Sequence, residues 1–348
     1  MIIFIIRYKS SIKIRSKRIT FLIVGAGISG LHLGALLSQY GQVIIFEKSH
    51  KVGGRARVEN IQGFNLDFGI HPIRFGPNSA LGDSLKELGC NIEFIKPGKS
   101  WVYMRNGKKT SSAIQVNPFP ERSSTGELLK NIKRVLEKGS IYYPNGGWNS
   151  ILNGLINKIK ENRGEIRQKA LVSEIIIENN KAIGVRVNNQ TIFGEFIIST
   201  IPVQNLFSIL DENLCEPNFV SKCKNLRQTA GISIDFGLSR KISDIDGMIF
   251  FEKFLGFGLI YKEFRKVILS HFPKIDNYLL FERPLFLEMI DGVEINTEQH
   301  QFKRPGNNII GLKNLFITGD SVGGEGSGGD VGHTSVRDCY FKILTKIK

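Results

Sequence analysis

One short stretch near the start of the chain limits its fold more than any other. Gly25-Ala26-Gly27-Ile28-Ser29-Gly30 follows directly on an apolar, β-branched run from Ile19 to Val24. It leads into Leu31, Leu33, Ala35, Leu36 and Leu37. The run reads as a buried parallel strand, and the leucines read as a helix that Gly41 can end. Val43 to Phe46 is a second strand, with Glu47 at its C-terminal end. Each glycine has a physical reason. The first makes the tight turn, the second leaves room for a pyrophosphate to approach the backbone, and the third lets helix and strand pack closely. The helix N-terminus turns free N–H groups toward the phosphates. Glu47 lies 17 residues after Gly30, near where an acid takes ribose hydroxyls. Together these features predict a dinucleotide-binding βαβ unit and an α/β fold.

Length and composition fit that reading. At about 150 residues per domain, 348 residues make two domains or one large one. With 41% hydrophobic and 23% charged residues the chain is neither disordered nor fibrous. No apolar run approaches the roughly 18 residues of a spanning helix. The formal charge is +15, of which Arg7, Lys9, Lys13, Arg15, Lys17 and Arg18 supply +6 within the first 18 residues. That excess favours anionic partners such as a lipid surface or a phosphate-bearing ligand. No nucleic-acid recognition module accompanies it, so specific nucleic-acid binding is not expected. Residues 1–18 open on six apolar residues that precede the charges, unlike a secretory signal, and are read as a basic N-terminal extension, a mis-called start or a peripheral anchor, outside the fold. Cys90, Cys215, Cys223 and Cys339 form no CxxC pair and are expected to be buried, reduced thiols of a cytoplasmic protein.

Further motifs follow in order: Val52-Gly53-Gly54-Arg55-Ala56-Arg57, then Asn65-Leu66-Asp67-Phe68-Gly69-Ile70-His71, then Tyr142-Tyr143-Pro144-Asn145-Gly146-Gly147-Trp148. The last is Leu315-Phe316-Ile317-Thr318-Gly319-Asp320, which a glycine-rich tail follows. The paired glycines let the backbone pass close to a ligand, and Arg55 offers a guanidinium to phosphate. In this order the motifs resemble the FAD-dependent amine oxidase, protoporphyrinogen oxidase and phytoene desaturase superfamily, most closely its phytoene desaturase-like branch. The resemblance covers nearly the whole chain after residue 18.

The resemblance implies an FAD cofactor and a residue-by-residue set of contacts. Gly25, Gly27, Ile28, Ser29 and Gly30 would hold the pyrophosphate, and Glu47, with Lys48 beside it, the adenosine ribose. Gly53, Gly54 and Arg55 would run along pyrophosphate and flavin. Gly69 and His71 would lie near the isoalloxazine ring, and Val172 against adenine. Gly319 and Asp320 would meet the ribityl and phosphate region. Val331 and Gly332 would bring a helix N-terminus to the pyrimidine end, where its positive end favours anionic reduced flavin. Arg57 is expected to be a surface or structural cation. His32, His50, His271 and His300 are expected to be non-catalytic, and Asp330 a cap for the last helix.

The implied fold is a Rossmann-like FAD-binding domain, of glutathione-reductase type, interleaved with a smaller α+β substrate domain. The first is expected over 19–72, 142–205 and 305–348, and the second over 73–141 and 206–304. In the middle, Ile151, Leu152, Leu155, Ile156 and Ile159 repeat as one helix stripe that Gly164 can stop. A hairpin is expected across Asn179-Asn180-Lys181, and another strand over Phe196 to Ser199. Leu81/Leu85/Leu88, Leu128/Leu129/Ile132/Val135/Leu136 and Phe264/Val267/Ile268/His271 are helix stripes expected to face the core. Relative to the family, several dozen residues are missing between Phe236 and Lys262, which shortens the substrate region.

No Ser-His-Asp order, metal-ligand cluster or phosphate-binding lysine loop is present, and no second dinucleotide fingerprint. In flavin enzymes the cofactor carries the hard step, so no protein nucleophile is required and no catalytic residue is named. The expected activity is hydride transfer between flavin and an apolar, isoprenoid or carotenoid-like substrate, as a desaturase, dehydrogenase or isomerase. Phe250, Phe251, Phe254 and Phe257 are candidates to line its cavity, and the basic surface would suit peripheral contact with a membrane. Two alternatives stand: an amine-oxidase or protoporphyrinogen-oxidase-like flavoenzyme, and a non-catalytic lipid-binding or escort protein of the same fold.

Overall fold

The computed structural model describes residues 19–69, 72–98, 101–103, 109–111, 125–139, 141–243, 249–251, 261–326 and 328–347. Residues 1–18, His71, Phe254 and Phe257 lie outside them, as do the side chains of Phe250 and Phe251.

The expected βαβ start is present. Strand β1 (Thr20–Val24) leads through the glycine turn into α1 (Ile28–Leu37), and the chain returns as β2 (Gln42–Phe46). The strands β3 (Glu165–Arg167), β4 (Val172–Glu178), β5 (Lys181–Val187), β6 (Gln190–Phe193) and β7 (Phe196–Ser199) follow far along the chain. Two longer strands, β8 (Gly231–Leu238) and β9 (Leu279–Leu287), precede β10 (Leu315–Ile317). The central sheet has the order β3-β2-β1-β7-β10, with every neighbouring pair parallel. Apart from the polar edge strand β3, its strands are short, mainly apolar runs because both faces are covered.

Alternate residues divide between two cores. Phe21, Ile23, Val43, Ile45, Ile198 and Phe316 pack against α1, α4 (Gly147–Glu161) and the tail helix α7 (Gly329–Ile347). Leu22, Val24, Ile44, Phe46, Ile197 and Ile317 pack against the antiparallel β4-β5-β6 sheet on the other face. Each fully buried side chain of this size contributes about 1.5–3 kcal/mol. Of the other helices, α2 (Ala80–Glu87), with Leu81 and Leu85 inward, belongs to the first core. The amphipathic α3 (Thr125–Lys138), α5 (Pro217–Lys224) and α6 (Tyr261–His271) lie outside both sheets.

Several elements depart from expectation. Helix α1 stops at Leu37, where the Ser38 N–H still reaches the Gly34 carbonyl, so Gly41 does not end it. Gly41 is instead a point of close approach, since a Cβ there would collide with the Ile19 carbonyl. The hairpin expected across Asn179-Asn180-Lys181 turns on Asn179 and Asn180, both left-handed at φ 48° and 58°. A second Asn-Asn turn at Asn188 and Asn189, φ 49° and 62°, adds β6, which the pattern had not revealed. Such paired left-handed residues are what two-residue hairpins require. In α3, Leu129 and Leu136 are exposed while Asn131 is buried, so that stripe does not face a core. Cys215, Cys223 and Cys339 are buried free thiols, but Cys90 is only half-buried. Strands β8 and β9 form a two-stranded antiparallel sheet.

Candidate functional site

The glycine turn meets three other segments at the carboxyl ends of β1, β7 and β10. Gly25 is left-handed (φ 102°), and its N–H donates to the Phe46 carbonyl at 2.8 Å. Gly30 has no room for a side chain, because a Cβ would overlap the Gly25 carbonyl oxygen. Gly27 is the opposite case: a Cβ there would meet no protein atom within 4 Å. It sits at the N-cap of α1 with no side-chain cap, so the amides of Ile28 and Ser29 open the helix over clear space. Tightness at the third glycine and emptiness at the second is the arrangement a bound diphosphate needs.

Glu47 is tied into this turn. Its Oε2 accepts from the Ala26 N–H and its Oε1 from the Ser49 N–H, both at 2.9 Å. Lys48 beside it is exposed. The Glu47 carbonyl accepts from the Ala170 N–H at 2.8 Å, which brings buried Val172, at the start of β4, to the same end of the site.

On the other side of the turn Gly53 pairs with Gly27, its N–H donating to the Ala26 carbonyl at 2.8 Å. Gly54 passes so close that a Cβ would lie 3.1 Å from the Gly27 Cα. Arg55 donates through Nη2 to Asp320 Oδ1 at 2.7 Å and through Nη1 to the Ile290 carbonyl at 2.8 Å. Burial alone would raise the Asp320 carboxyl; the Arg55 guanidinium and the Gly292 N–H outweigh it and hold the carboxyl below its ordinary range.

The tail helix closes the ring. A Cβ on Gly332 would lie 3.3 Å from the Asp320 nitrogen and 3.4 Å from Ser29 Oγ. One on Gly319 would lie 3.9 Å from the same Ser29 Oγ. The two ends of the chain therefore meet at Ser29, with Val331 fully buried beside Gly332. Gly69, left-handed at φ 104°, lies farther along, where its Cβ would touch Leu287 Cδ1 at 3.4 Å.

That last contact exposes what the sequence reading missed. The segment from Leu287 to Gly292 touches the site four times. Leu287 meets Gly69, Ile290 binds Arg55, Asp291 approaches Gly328, and the Gly292 N–H donates to Asp320 Oδ2 at 2.7 Å. The Asp291 Oδ1 would be 3.6 Å from a Cβ on Gly328, just before α7. Its carboxyl is pushed up to about 6, first by burial and then by Asp320, against Arg55, Thr229 and Arg74. Only the Asp-Gly pair marks this segment in the sequence.

The remaining charged and aromatic residues take structural places. Arg57 lies 3.4 Å over the Phe68 ring and 3.6 Å from Glu59, as a structural cation should. Asp330 does not act as the expected cap: its carboxylate, buried in the first turn of α7, pairs with Arg134 of α3 at 2.8 Å. Buried His32 and His333 join α1 to α7, Nδ1 to Nδ1 at 3.3 Å, and His333 stacks on Trp148. Burial pushes His333 down to about 4 and His32 well below its ordinary value. No group of three or more candidate metal ligands occurs among the described residues.

Comparison with known proteins agrees with this geometry. The family model described as NAD(P)-binding Rossmann-like domain matches residues 23–88, and that described as flavin containing amine oxidoreductase matches residues 100–246. An uncharacterised protein of Methanocaldococcus jannaschii is 23% identical over 280 residues, 66% of this chain and 68% of its own length. A 4,4'-diapophytoene desaturase of Methylomonas is 53% identical over 49 residues, which is 14% of this chain but only 10% of that enzyme. The crystal structure of an oxidoreductase from Methanosarcina mazei superposes with a TM-score of 0.74 at 18% identity, covering 94% of this chain and all of the other.

Proposed function

The chain belongs to the flavin-dependent amine oxidase and phytoene desaturase-like superfamily of oxidoreductases, and on that premise we propose that it binds FAD and moves a hydride between the flavin and an apolar, isoprenoid or carotenoid-like substrate. The observation that carries this reading is the meeting of Ser29, Gly319, Asp320 and Gly332 around the open Gly27 turn. An extended dinucleotide fits it: ribose acceptor at one end, bare helix N-terminus in the middle, a second helix N-terminus at the other.

Bound FAD supplies a two-electron acceptor. The chain's own residues hold and tune it. The amides at the start of α1 would hold the diphosphate, with Gly53 and Gly54 letting the backbone run beside it. Arg55, clamped by Asp320 and the Ile290 carbonyl, presents a fixed positive charge. The N-terminus of α7 would offer its positive end to the negative charge of a reduced flavin. The identity to the diapophytoene desaturase, though short, favours a polyene substrate over an amine.

Such a substrate dissolves in lipid, and α3 offers a face to an anionic membrane. Leu129 and Leu136 on α3 and the nearby Phe302 are exposed, with Lys130 lying 5.2 Å over the Phe302 ring. No helix among the described residues is long and apolar enough to cross a membrane. Co-sedimentation with anionic vesicles that disappears in Leu129→Ser/Leu136→Ser tests this contact.

The central test is direct. Full-length protein should purify yellow or take up added FAD, with the flavin released on denaturation. Anaerobic incubation with polyene substrates should then change the flavin absorbance. A colourless protein that refuses added FAD would overturn the reading in favour of the escort alternative.

A further inference from the structure

We propose that Asp291 is the redox-linked proton acceptor of the flavin site, taking up a proton from solvent when the flavin is reduced. The inference rests on the flavin-binding reading above and goes beyond it by giving the site a proton partner.

Geometry places the residue. Its two neighbours in the chain are both fastened to the cofactor-facing pair, Ile290 through Arg55 and Gly292 through Asp320. Its own backbone is held by Thr229, whose Oγ1 accepts from the Asp291 N–H at 3.0 Å and whose N–H donates to the Asp291 carbonyl at 3.1 Å. The Asp291 carboxyl is thus aimed toward Gly328 at the mouth of α7, with Thr229 Oγ1 3.4 Å from Oδ2. The segment that carries it runs from Gly69, expected near the isoalloxazine ring, to that helix N-terminus, expected at its pyrimidine end.

The surroundings make its proton easy to move. Asp320 faces it as a like charge, while Arg55 and Arg74 face it as opposite ones. Asp330 and Arg134 stand beyond Arg74, already paired with each other. Asp320 is committed to Arg55 and the Gly292 N–H and stays ionised. Two neighbouring carboxyls with opposite shifts divide the roles of fixed charge and titrating acid. With only protein groups around it, Asp291 is pushed up to about 6, close enough to neutrality for a nearby new charge to move its proton.

Reduction changes that balance. Two electrons and one proton give an anionic reduced flavin, the form a helix N-terminus favours. The new negative charge raises the affinity of Asp291 for a second proton, which comes from solvent. In turnover the electrons come from a substrate C–H bond, so substrate is oxidised as flavin is reduced.

The experiment uses the FAD-loaded full chain. Absorbance first confirms loading, so failure to bind flavin is separable from failure of this proposal. The midpoint potential is then measured against pH from 5 to 8 by equilibrium reduction with a reference dye. The wild-type protein should show a break near pH 6, above which one more proton accompanies each pair of electrons. Asp291→Asn should lose that break, and Asp291→Glu should keep it. Thr229→Val, which removes a hydrogen bond to the ionised carboxylate, should move the break to higher pH, and it decides the matter if Asp291→Asn fails to hold flavin. Identical pH dependence in wild type, Asp291→Asn and Thr229→Val would overturn the proposal.

Discussion

Gly27 and Gly30 sit three residues apart in the same turn, and the structure predicts opposite failures for them. Gly27 has extended backbone (φ −68°, ψ 176°), which any residue adopts, and its Cβ position is open for 4 Å around. Gly27→Ala therefore introduces no clash. Its cost to the empty protein is the weaker N-cap, about 1 kcal/mol, or a fall in Tm of about 2 °C or less for a chain of this size. The methyl nevertheless fills the space through which a diphosphate reaches the α1 amides. Losing two charge-assisted hydrogen bonds at about 1.5 kcal/mol each weakens FAD by about 3 kcal/mol, roughly a hundredfold. Gly30→Ala behaves differently. Its Cβ overlaps the Gly25 carbonyl and lies 3.0 Å from Thr200 Oγ1, which itself donates to the Val24 and Gly25 carbonyls. Backbone cannot yield as a flexible side chain does, so this overpacking costs on the order of 3 kcal/mol of stability. Thermal melts of the flavin-free proteins and fluorescence titration with FAD separate the two effects. A Gly27→Ala protein that binds FAD as tightly as wild type, or that melts as low as Gly30→Ala, would refute the assignment of the turn.

Three other outcomes follow from the same contacts. Glu47→Ala should lower stability by about 1–3 kcal/mol, because the carboxylate holds two backbone N–H groups, and should weaken FAD as well if, as proposed, it accepts from the ribose; paired melts and titrations check it. His333 is neutral in the fold but protonates in the unfolded chain below its ordinary 6.5, so the stability it contributes is full above that value and is lost as pH falls toward about 4. The loss is on the order of 3 kcal/mol, and His333→Gln should reduce but not abolish the slope of urea-unfolding stability between pH 6.5 and 4, since His32 contributes with the same sign and Asp291 with the opposite one over part of this range. Arg304 is fully buried and 2.9 Å from Glu127 of α3, so Arg304→Ala should cost about 3–5 kcal/mol by stranding the carboxylate, whereas Arg304→Met with Glu127→Leu should recover only part of it in the same melts, because the Gln299 and Gly324 carbonyls and the Gln301 N–H lose their partners.

What the sequence revealed and what it hid have the same physical origin. The parallel sheet was legible because strands buried on both faces must be continuous apolar runs, and the glycine turn because three glycines at fixed spacing each answer a different steric need. Local turns were half legible. Asn179-Asn180 announced a hairpin, while the same pair at Asn188-Asn189 passed unread because the segment after it, Gln190–Phe193, is short and carries only Ile192 and Phe193 as an apolar signal. The α3 stripe misled for a related reason. Periodicity shows that a helix has an apolar face but not whether the fold covers it, and Leu129 and Leu136 remain exposed. The site divides in the same way. Residues that contact a ligand through bare backbone leave a glycine signature; residues that reach it through side chains from distant segments leave none. Arg55 and Asp320 lie 265 positions apart and were singled out by separate motifs, yet nothing in either motif implied that they would bind each other. Asp291 had no motif at all, and its importance arises entirely from what Arg55, Asp320 and Gly328 bring to it. The cofactor cradle, being backbone, could be read in one dimension. The groups that set its charge come together only once the chain has folded back on itself.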